Sequence, residues 1–341
     1  MTARATIKII HGDCMENEIP PKSISLIIAD PPYYKVKGCF DWVWDSFDEY
    51  LADVEKWATE CKRVLADNGT LFWWGHAKKI AYSQVILDRL FCLENSMVWW
   101  VVDRQTNKGV EMFRCFAPVT ERLLMYSNGT EPEEWDQTGH ERVMEEHIRP
   151  RSPFAKYLRD EFKRANVTNK EIAALFPSKT GGLTGCVSNW LKGFNVITED
   201  QYLKIREYLN GEYLRKEYEY LRKEYEELRK EYEELRKEYE ELRRPFNNTL
   251  KLTDVLRYSQ ESHLTKKYSH DTIKPMKLTR DLITTTTREG DRVWIPFVGS
   301  GTEIIAAYDV GCNAIGHEID EGYHKAATAR FKRHKSQGQL F

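Results

Sequence analysis

The sequence lacks any run approaching the roughly 18 apolar residues that span a bilayer. Its opening residues, MTARATIKII, lack the long apolar stretch of a secretory signal. Neither export nor membrane insertion is expected. The seven cysteines (Cys14, Cys39, Cys61, Cys92, Cys115, Cys186 and Cys312) are scattered, without a C-x-x-C pair or a histidine at zinc-ligand spacing. No metal site is therefore expected, and a reducing cytoplasm suits the chain. Charge of one sign is also missing: 51 Lys and Arg face 53 Asp and Glu, for a net charge of -2. A uniformly basic nucleic-acid coat is thereby excluded. There is no G-x-x-x-x-G-K-S/T loop for a triphosphate and no G-x-G-x-x-G of the nicotinamide enzymes.

What remains is a chain of 341 residues, 41% hydrophobic, long enough for one large α/β domain and an insert. Apolar strands are expected at 7–10, 25–29, 70–74, 97–102 and 121–126, alternating with helices at 47–65 and 82–90. This is the rhythm of a parallel sheet. It stops near 128–140 and resumes with a helix at 275–286, a strand at 292–296, a helix at 302–309, a strand at 313–318 and a helix at 322–333. The reading divides the chain into a catalytic half at 1–140, a helical insert at 141–211, a heptad helix at 212–246 and a second half at 247–341.

The insert is locally basic: residues 149–210 hold eleven Lys or Arg against six Asp or Glu, an excess of five. Short helices around a glycine-bearing turn at 180–183 read as a helix-turn-helix. Its second helix carries Ser188, Asn189 and Trp190 near Lys192, residue types that reach base edges and phosphates. The plainer alternative is a helical bundle packed on the rest of the protein. A heptad series follows from Glu212 to Phe246, with Leu214, Leu221, Leu228, Leu235 and Leu242 at d and Tyr218, Tyr225, Tyr232 and Tyr239 at a. A helix of that length would project by on the order of 50 Å. Both a homodimeric coiled coil and a solvated spacer are compatible with it, and Pro245 ends it.

Two loops carry chemistry. Asp30-Pro31-Pro32-Tyr33 directly follows an apolar strand, at the carboxyl end where ligands bind in open α/β sheets. Asp30 and the Pro31 carbonyl can accept hydrogen bonds from an exocyclic amino group, and Tyr33 can stack on a base taken out of its helix. Phe297-Val298-Gly299-Ser300-Gly301-Thr302 again joins a strand to a helix, its glycines permitting close approach to a ligand. Beyond it the next strand ends in Glu318-Ile319-Asp320, acids suited to the two hydroxyls of a ribose. Asp13, after the first strand, could accept from an adenine amino group.

In this order the chain resembles the class β amino-methyltransferases, the permuted group in which the catalytic segment precedes the target-recognition insert and the cofactor loop follows it. Asp30-Pro31-Pro32-Tyr33 is similar to their catalytic motif and Phe297-x-Gly299-x-Gly301 to their cofactor motif; the likeness covers roughly 6–126 and 268–334. The resemblance implies a Rossmann-like fold with a mostly parallel twisted sheet, interrupted by an α-helical target-recognition region and the heptad helix. It implies S-adenosyl-L-methionine as methyl donor, no metal, and double-stranded DNA as partner. A bacterial or phage-encoded cytoplasmic enzyme of the restriction–modification kind would fit. Asp13, Asp30, Lys274, Phe297, Gly299, Ser300, Gly301, Thr302, Glu318 and Asp320 would surround the cofactor. Lys274 enters through the likeness of Asp271-Thr272-Ile273-Lys274-Pro275 to the segment lining the methionine end.

The aspartate form of the catalytic motif is similar to the adenine-N6 enzymes, whereas cytosine-N4 relatives usually have serine there. The implied reaction is direct in-line transfer to N6 of a flipped adenine. A covalent cysteine route is not expected, because no Pro-Cys dipeptide occurs. Two departures stand out: Ile295 occupies a position where relatives commonly carry aspartate, and Thr120-Glu121 stands where they often read His-Glu. The first leaves open an inactive, sequence-specific DNA-binding regulator as a reading of another class.

Overall fold

Ile24–Ala29 is apolar at nearly every position, and a strand of that kind needs cover on both faces. In the computed structural model it is β2, in the middle of an eight-stranded sheet. The structure describes residues 5–36, 39–102, 114, 116, 118–129, 149, 151–179, 182–260 and 273–337. The other strands are β1 (Ile7–His11), β3 (Leu65–Gly75), β4 (Cys92–Val101), β5 (Thr120–Ser127), β6 (Val255–Tyr258), β7 (Arg292–Ile295) and β8 (Asn313–Glu318). Their order is β1-β8-β7-β2-β3-β5-β4-β6. Every pairing is parallel except the two made by β5, which runs against both β3 and β4.

Helices α1 (Phe47–Val64) and α2 (Ile80–Leu87) precede the insert. The first is specified locally: Ser46 caps it by accepting from the Glu49 N–H, acids occupy its first turn, and Lys62 and Arg63 its last. Tyr50, Val54, Ala58 and Cys61 form its buried stripe.

The chain divides into two compact units, Met1–Glu133 with Arg244–Phe341, and Glu134–Arg243. In the first unit, alternate residues of the central strands feed two separate cores. Leu26, Ile28, Phe72 and Trp74 join Leu282 and Ile304 in one, while Ile27, Leu71, Trp73 and Trp294 join Val54 and Leu87 in the other. Trp99 is buried too, but Trp100 is 40% exposed and carries the Arg257 guanidinium 5.4 Å from its ring centre. Four-residue β6 was not foreseen; it lies at the sheet edge, where only one neighbour specifies it.

The second unit contains α3 (Pro153–Arg164), α4 (Asn169–Ala174), α5 (Cys186–Leu191), α6 (Glu199–Tyr208) and α7 (Tyr218–Leu242). Capping boxes at Thr168 with Glu171 and at Thr198 with Gln201 fix the starts of α4 and α6. Residues 175–185 separate α4 from α5, a longer connection than the three or four residues of a tight helix-turn-helix. Two of the four residues of the expected turn, 180 and 181, lie outside the described residues.

The heptad helix differs from its expected form. It begins at Tyr218 rather than Glu212, because Gly211 and Leu214 take left-handed backbone conformations (φ 70° and 55°). The turn is held by the buried Glu161 carboxylate, which accepts from the Leu214 N–H at 2.7 Å. Leu214, Tyr218 and Leu221 then pack into the core of this unit beside Phe154, Trp190 and Tyr202. The first part of the seam is thus used within the unit, while Leu235 and Leu242 are 37% and 78% exposed.

Candidate active site

Because β1, β8, β7, β2 and β3 run parallel, the loops after them emerge along one edge of the sheet. Antiparallel β5 starts where they end, which brings Glu121, opposite Trp99, to the same edge. Asp30 immediately follows β2. Its Oδ1 accepts from the Tyr33 hydroxyl at 2.6 Å, and its Oδ2 accepts from Lys274 Nζ at 2.7 Å. The Lys274 ammonium also stands 3.5 Å from Glu121 and 4.8 Å from the centre of the Trp74 ring.

Lys274 is 2% exposed. Burial pushes its ammonium towards neutrality, but the Asp30 and Glu121 carboxylates outweigh that and hold it above the ordinary lysine range. Burial first, and then the Asp30 charge, raise the Tyr33 phenol well above its usual value. Buried Asp41 accepts from the Tyr33 N–H, and Lys79 donates to the Tyr34 carbonyl. The catalytic-type loop is therefore held from both sides, with its prolines adding stiffness.

The glycine loop follows β7. Gly299 and Gly301 have φ of 50° and 78°, and a Cβ on Gly301 would lie 3.1 Å from that of Ala327. Gly301 caps α9 (Thr302–Asp309), which is followed by α10 (Glu321–Gln337); α8 (Met276–Thr286) precedes the loop. Buried Arg330 of α10 donates to the Ser300 carbonyl, to Ser300 Oγ and to Thr302 Oγ1, at 2.9, 3.3 and 2.9 Å. Ser300 and Thr302 therefore brace the loop through their side chains. Glu318, at the end of β8, accepts from the Gly299 N–H at 2.7 Å and the Asp320 N–H at 2.9 Å. Burial raises its carboxyl against the pull of those two donors. Asp13 accepts from the Met15 N–H at 2.9 Å.

A strand edge bearing a glycine-lined loop, flanking acids and a buried carboxylate–lysine–tyrosine cluster can cradle a nucleoside-containing ligand and orient a hydrogen-bond donor at Asp30. Among the described residues no group of three His, Cys, Asp or Glu could hold a metal ion.

A sequence family described as DNA methylase, the N6/N4 group, matches residues 24–329. The chain belongs to that family. Individual relatives align over shorter segments. It is 33% identical to the type II methyltransferase M.BamHI of Bacillus amyloliquefaciens over 129 residues, covering 37% of this chain and 29% of that protein. For the type II methyltransferase M.HinfI of Haemophilus influenzae the identity is 35% over 109 residues, or 27% and 30% of the two chains. For the DNA adenine methyltransferase YhdJ of Escherichia coli (strain K12) it is 31% over 124 residues, or 34% and 40%. The matches thus span well under half of these relatives. Among solved structures, the PvuII DNA methyltransferase (cytosine-N4-specific) superposes with a TM-score of 0.51 at 13% identity, over 96% of this chain and 87% of that one. The M1.HpyAVI–SAM complex superposes with a TM-score of 0.50 at 16% identity, over 95% and 98%. The chain shares the Rossmann-like fold of these methyltransferases, with its mostly parallel sheet.

Within this methylase-family fold the structure brings Asp30, Tyr33 and Lys274 into direct contact and Gly299 into contact with Glu318. Phe297 instead packs edge-on to Trp57, 5.0 Å between ring centres. Asp320 is exposed and accepts from the Tyr323 N–H at 2.8 Å. In the helical unit Trp190 corrects the sequence reading: it is 3% exposed and packs edge-on against Phe176, so it is a core residue and not a base contact. It faces inward with Val187, one turn earlier on α5, while Ser188 and Lys192 are exposed and Asn189 is half-buried.

Sequence reasoning gave Glu121 no more than possible support and missed Asp41, Glu303 and Arg330. Glu303, in the first turn of α9, is 5% exposed. Burial and then the Asp30 charge raise its carboxyl to about 7, against the pull of its own backbone N–H, Lys274 and Arg330. The one available signal was an acid and a base on helices whose other buried positions are apolar or small.

Proposed function

We propose that the protein methylates the N6 amino group of adenine in double-stranded DNA, with S-adenosyl-L-methionine as donor. The observation that carries this reading is the part-buried Asp30–Tyr33 pair held by buried Lys274 at the end of β2. When bound, the donor supplies an electrophilic methyl group on a sulfonium. Gly299 and Gly301 permit close backbone approach to its nucleoside part, and Glu318 and Asp320, at the end of the next strand, are the acids assigned to its ribose hydroxyls. These features fit an adenosine-containing cofactor, with Asp13 beside them for the adenine amino group.

In this reading the Tyr33 ring stacks on a flipped base. Asp30 Oδ1 and the Pro31 carbonyl accept the two N–H groups of the amino nitrogen and fix its lone pair on the line of transfer. Lys274 positions Asp30 by holding Oδ2. The proton lost by the methylated nitrogen is received at Asp30 Oδ1 and passes to solvent. The aspartate at the head of the loop and the likeness to YhdJ favour adenine over cytosine.

Recognition of the duplex is assigned to the helical unit. An open concavity of about 370 Å³ is lined by Arg149, Arg159, Asn169, Ser188, Leu191 and Lys192. It adjoins the exposed side of α5, so Ser188, Asn189 and Lys192 are proposed DNA contacts, without Trp190. Dimerisation through the heptad helix is not part of this reading, since Leu214, Tyr218 and Leu221 are engaged within the unit.

The test is methyl transfer from labelled S-adenosylmethionine to unmethylated genomic DNA, followed by nucleoside mass spectrometry. N6-methyladenine that disappears with Asp30→Ala is the expected result. N4-methylcytosine would reassign the base, and no methylated base of either kind would overturn the reading.

A further inference from the structure

Three carboxylates surround Lys274, and one of them, Glu303, has no side-chain hydrogen-bond partner among the described residues. Asp30 takes the ammonium at 2.7 Å and Glu121 at 3.5 Å. Arg330, the other nearby cation, is turned to Ser300 and Thr302. Glu303 feels Asp30, Lys274 and Arg330 electrostatically, yet among the described residues no side-chain donor or cation bonds to its carboxylate. It accepts only its own backbone N–H. A carboxyl group on a residue only 5% exposed, with no side-chain donor among the described residues, is costly to keep ionised in a protein interior, so its position calls for an explanation.

The position supplies one. Glu303 directly follows Gly301-Thr302 in the first turn of α9, near enough to Asp30 and Lys274 for both charges to act on it, while Glu318 accepts from the Gly299 N–H of the same loop. Resting on the cofactor reading above, we infer that Glu303 binds the α-ammonium of the donor's methionine end and fixes it between the glycine loop and Asp30. The donor has two positive centres. The sulfonium offers no N–H and must aim its methyl at the acceptor; the ammonium offers three donors that a carboxylate can accept. The raised value of Glu303, about 7, agrees with this, because an arriving cation favours ionisation and expels the proton held there. Asp30 opposes that ionisation, and Lys274 and Arg330 assist it.

The test is calorimetric binding of S-adenosylhomocysteine and of 5′-methylthioadenosine to the full-length protein and to Glu303→Gln, at pH 7 in two buffers of different ionisation enthalpy. The homocysteine compound keeps the ammonium without a sulfonium; the thioadenosine has neither. E303Q is expected to weaken the first roughly tenfold to a hundredfold and leave the second unchanged. The wild type should release protons on binding the first, and E303Q should not. Retained thioadenosine binding also reports a folded variant; should E303Q not fold, Glu303→Asp, which withdraws the charge, carries the same comparison.

Equal losses for both ligands, or no loss, would overturn the assignment. Failure of the wild type to bind either compound would instead remove the cofactor reading on which the inference stands.

Discussion

Lys274 is the residue through which the two halves of the site communicate, since among the described residues it is the cation that meets both Asp30 and Glu121. Replacing it by Met would leave two part-buried carboxylates facing each other without a cation. Breaking a buried pair from one side costs about 3–5 kcal/mol, and the exposure of Asp30 and Glu121, 18% and 25%, puts the expected loss near the lower end. Urea unfolding of Lys274→Met at pH 7 measures it; an unchanged midpoint would show the cluster to be energetically idle.

Glu303 gives a prediction of opposite sign. Its carboxyl titrates at about 7 in the fold against an ordinary 4.5. The folded state therefore holds the proton more tightly, and the stability this adds is complete below about 4.5 and lost as pH rises through about 7. E303Q, which cannot ionise, should match the wild type near pH 4.5 and exceed it by about 3 kcal/mol at pH 8, the linkage of roughly 2.5 pH units between 4.5 and about 7. Denaturation curves at the two values decide it, and a gap that does not widen with pH would place the titration elsewhere. The carboxylate that the family likeness led one to seek at Ile295 is absent from that buried strand end, and a buried carboxylate stands on the next helix instead.

At the scale of elements, the strands and helices that carry the site were legible because their signals are local. Ser46 opens α1, glycine follows β7, and Asp30 follows a strand apolar on both faces. The partners of those residues were not legible, because sheet order places them: Glu121 reaches Lys274 only because β5 runs antiparallel. The same blindness affected α5. Its spacing was read as helical, but which side faced inward was set by Phe176 and the core behind it, so Trp190 was misassigned. The exposed side yields a prediction. Lys192→Ala should weaken duplex binding to about the same extent for all sequences and lower the slope of log affinity against log salt by about 1. A loss confined to one sequence would mean that Lys192 reads a base. For α7, the burial of Tyr218 and Leu221 argues that the full chain sediments as a monomer at micromolar concentration. A dimer would mean that the exposed stretch around Leu235 and Leu242 pairs between copies.

At the scale of the whole molecule, the site belongs to one unit assembled from two stretches of chain on either side of the other unit. The order of motifs made this interruption readable, since a strand-and-loop pattern breaks off and later resumes. Sheet topology completes it by pairing β2 with β7 and β1 with β8. A ligand held by the glycine loop should therefore stabilise both stretches together. Saturating S-adenosylhomocysteine at about 100 times its Kd would add about 2.7 kcal/mol, and hydrogen exchange should slow in β2 as well as in β7 and β8. Protection limited to the later stretch would show that the loop binds without engaging the catalytic half.

That pairing also sets an order of events at the ribosome. Lys274 and Asp30 are 244 residues apart, and the contact that closes the β1 edge is longer still. At roughly 5–20 residues per second, β2 emerges on the order of 15–50 s before the strand that will cover its open side. During that interval the nascent chain displays an apolar strand with an unfilled edge, a template for pairing with neighbours. The helical unit is translated within this window and can complete its own core while the sheet waits. A message cut short after that unit would release a folded module tethered to an exposed half-sheet, a species that a cell would have to shelter or destroy.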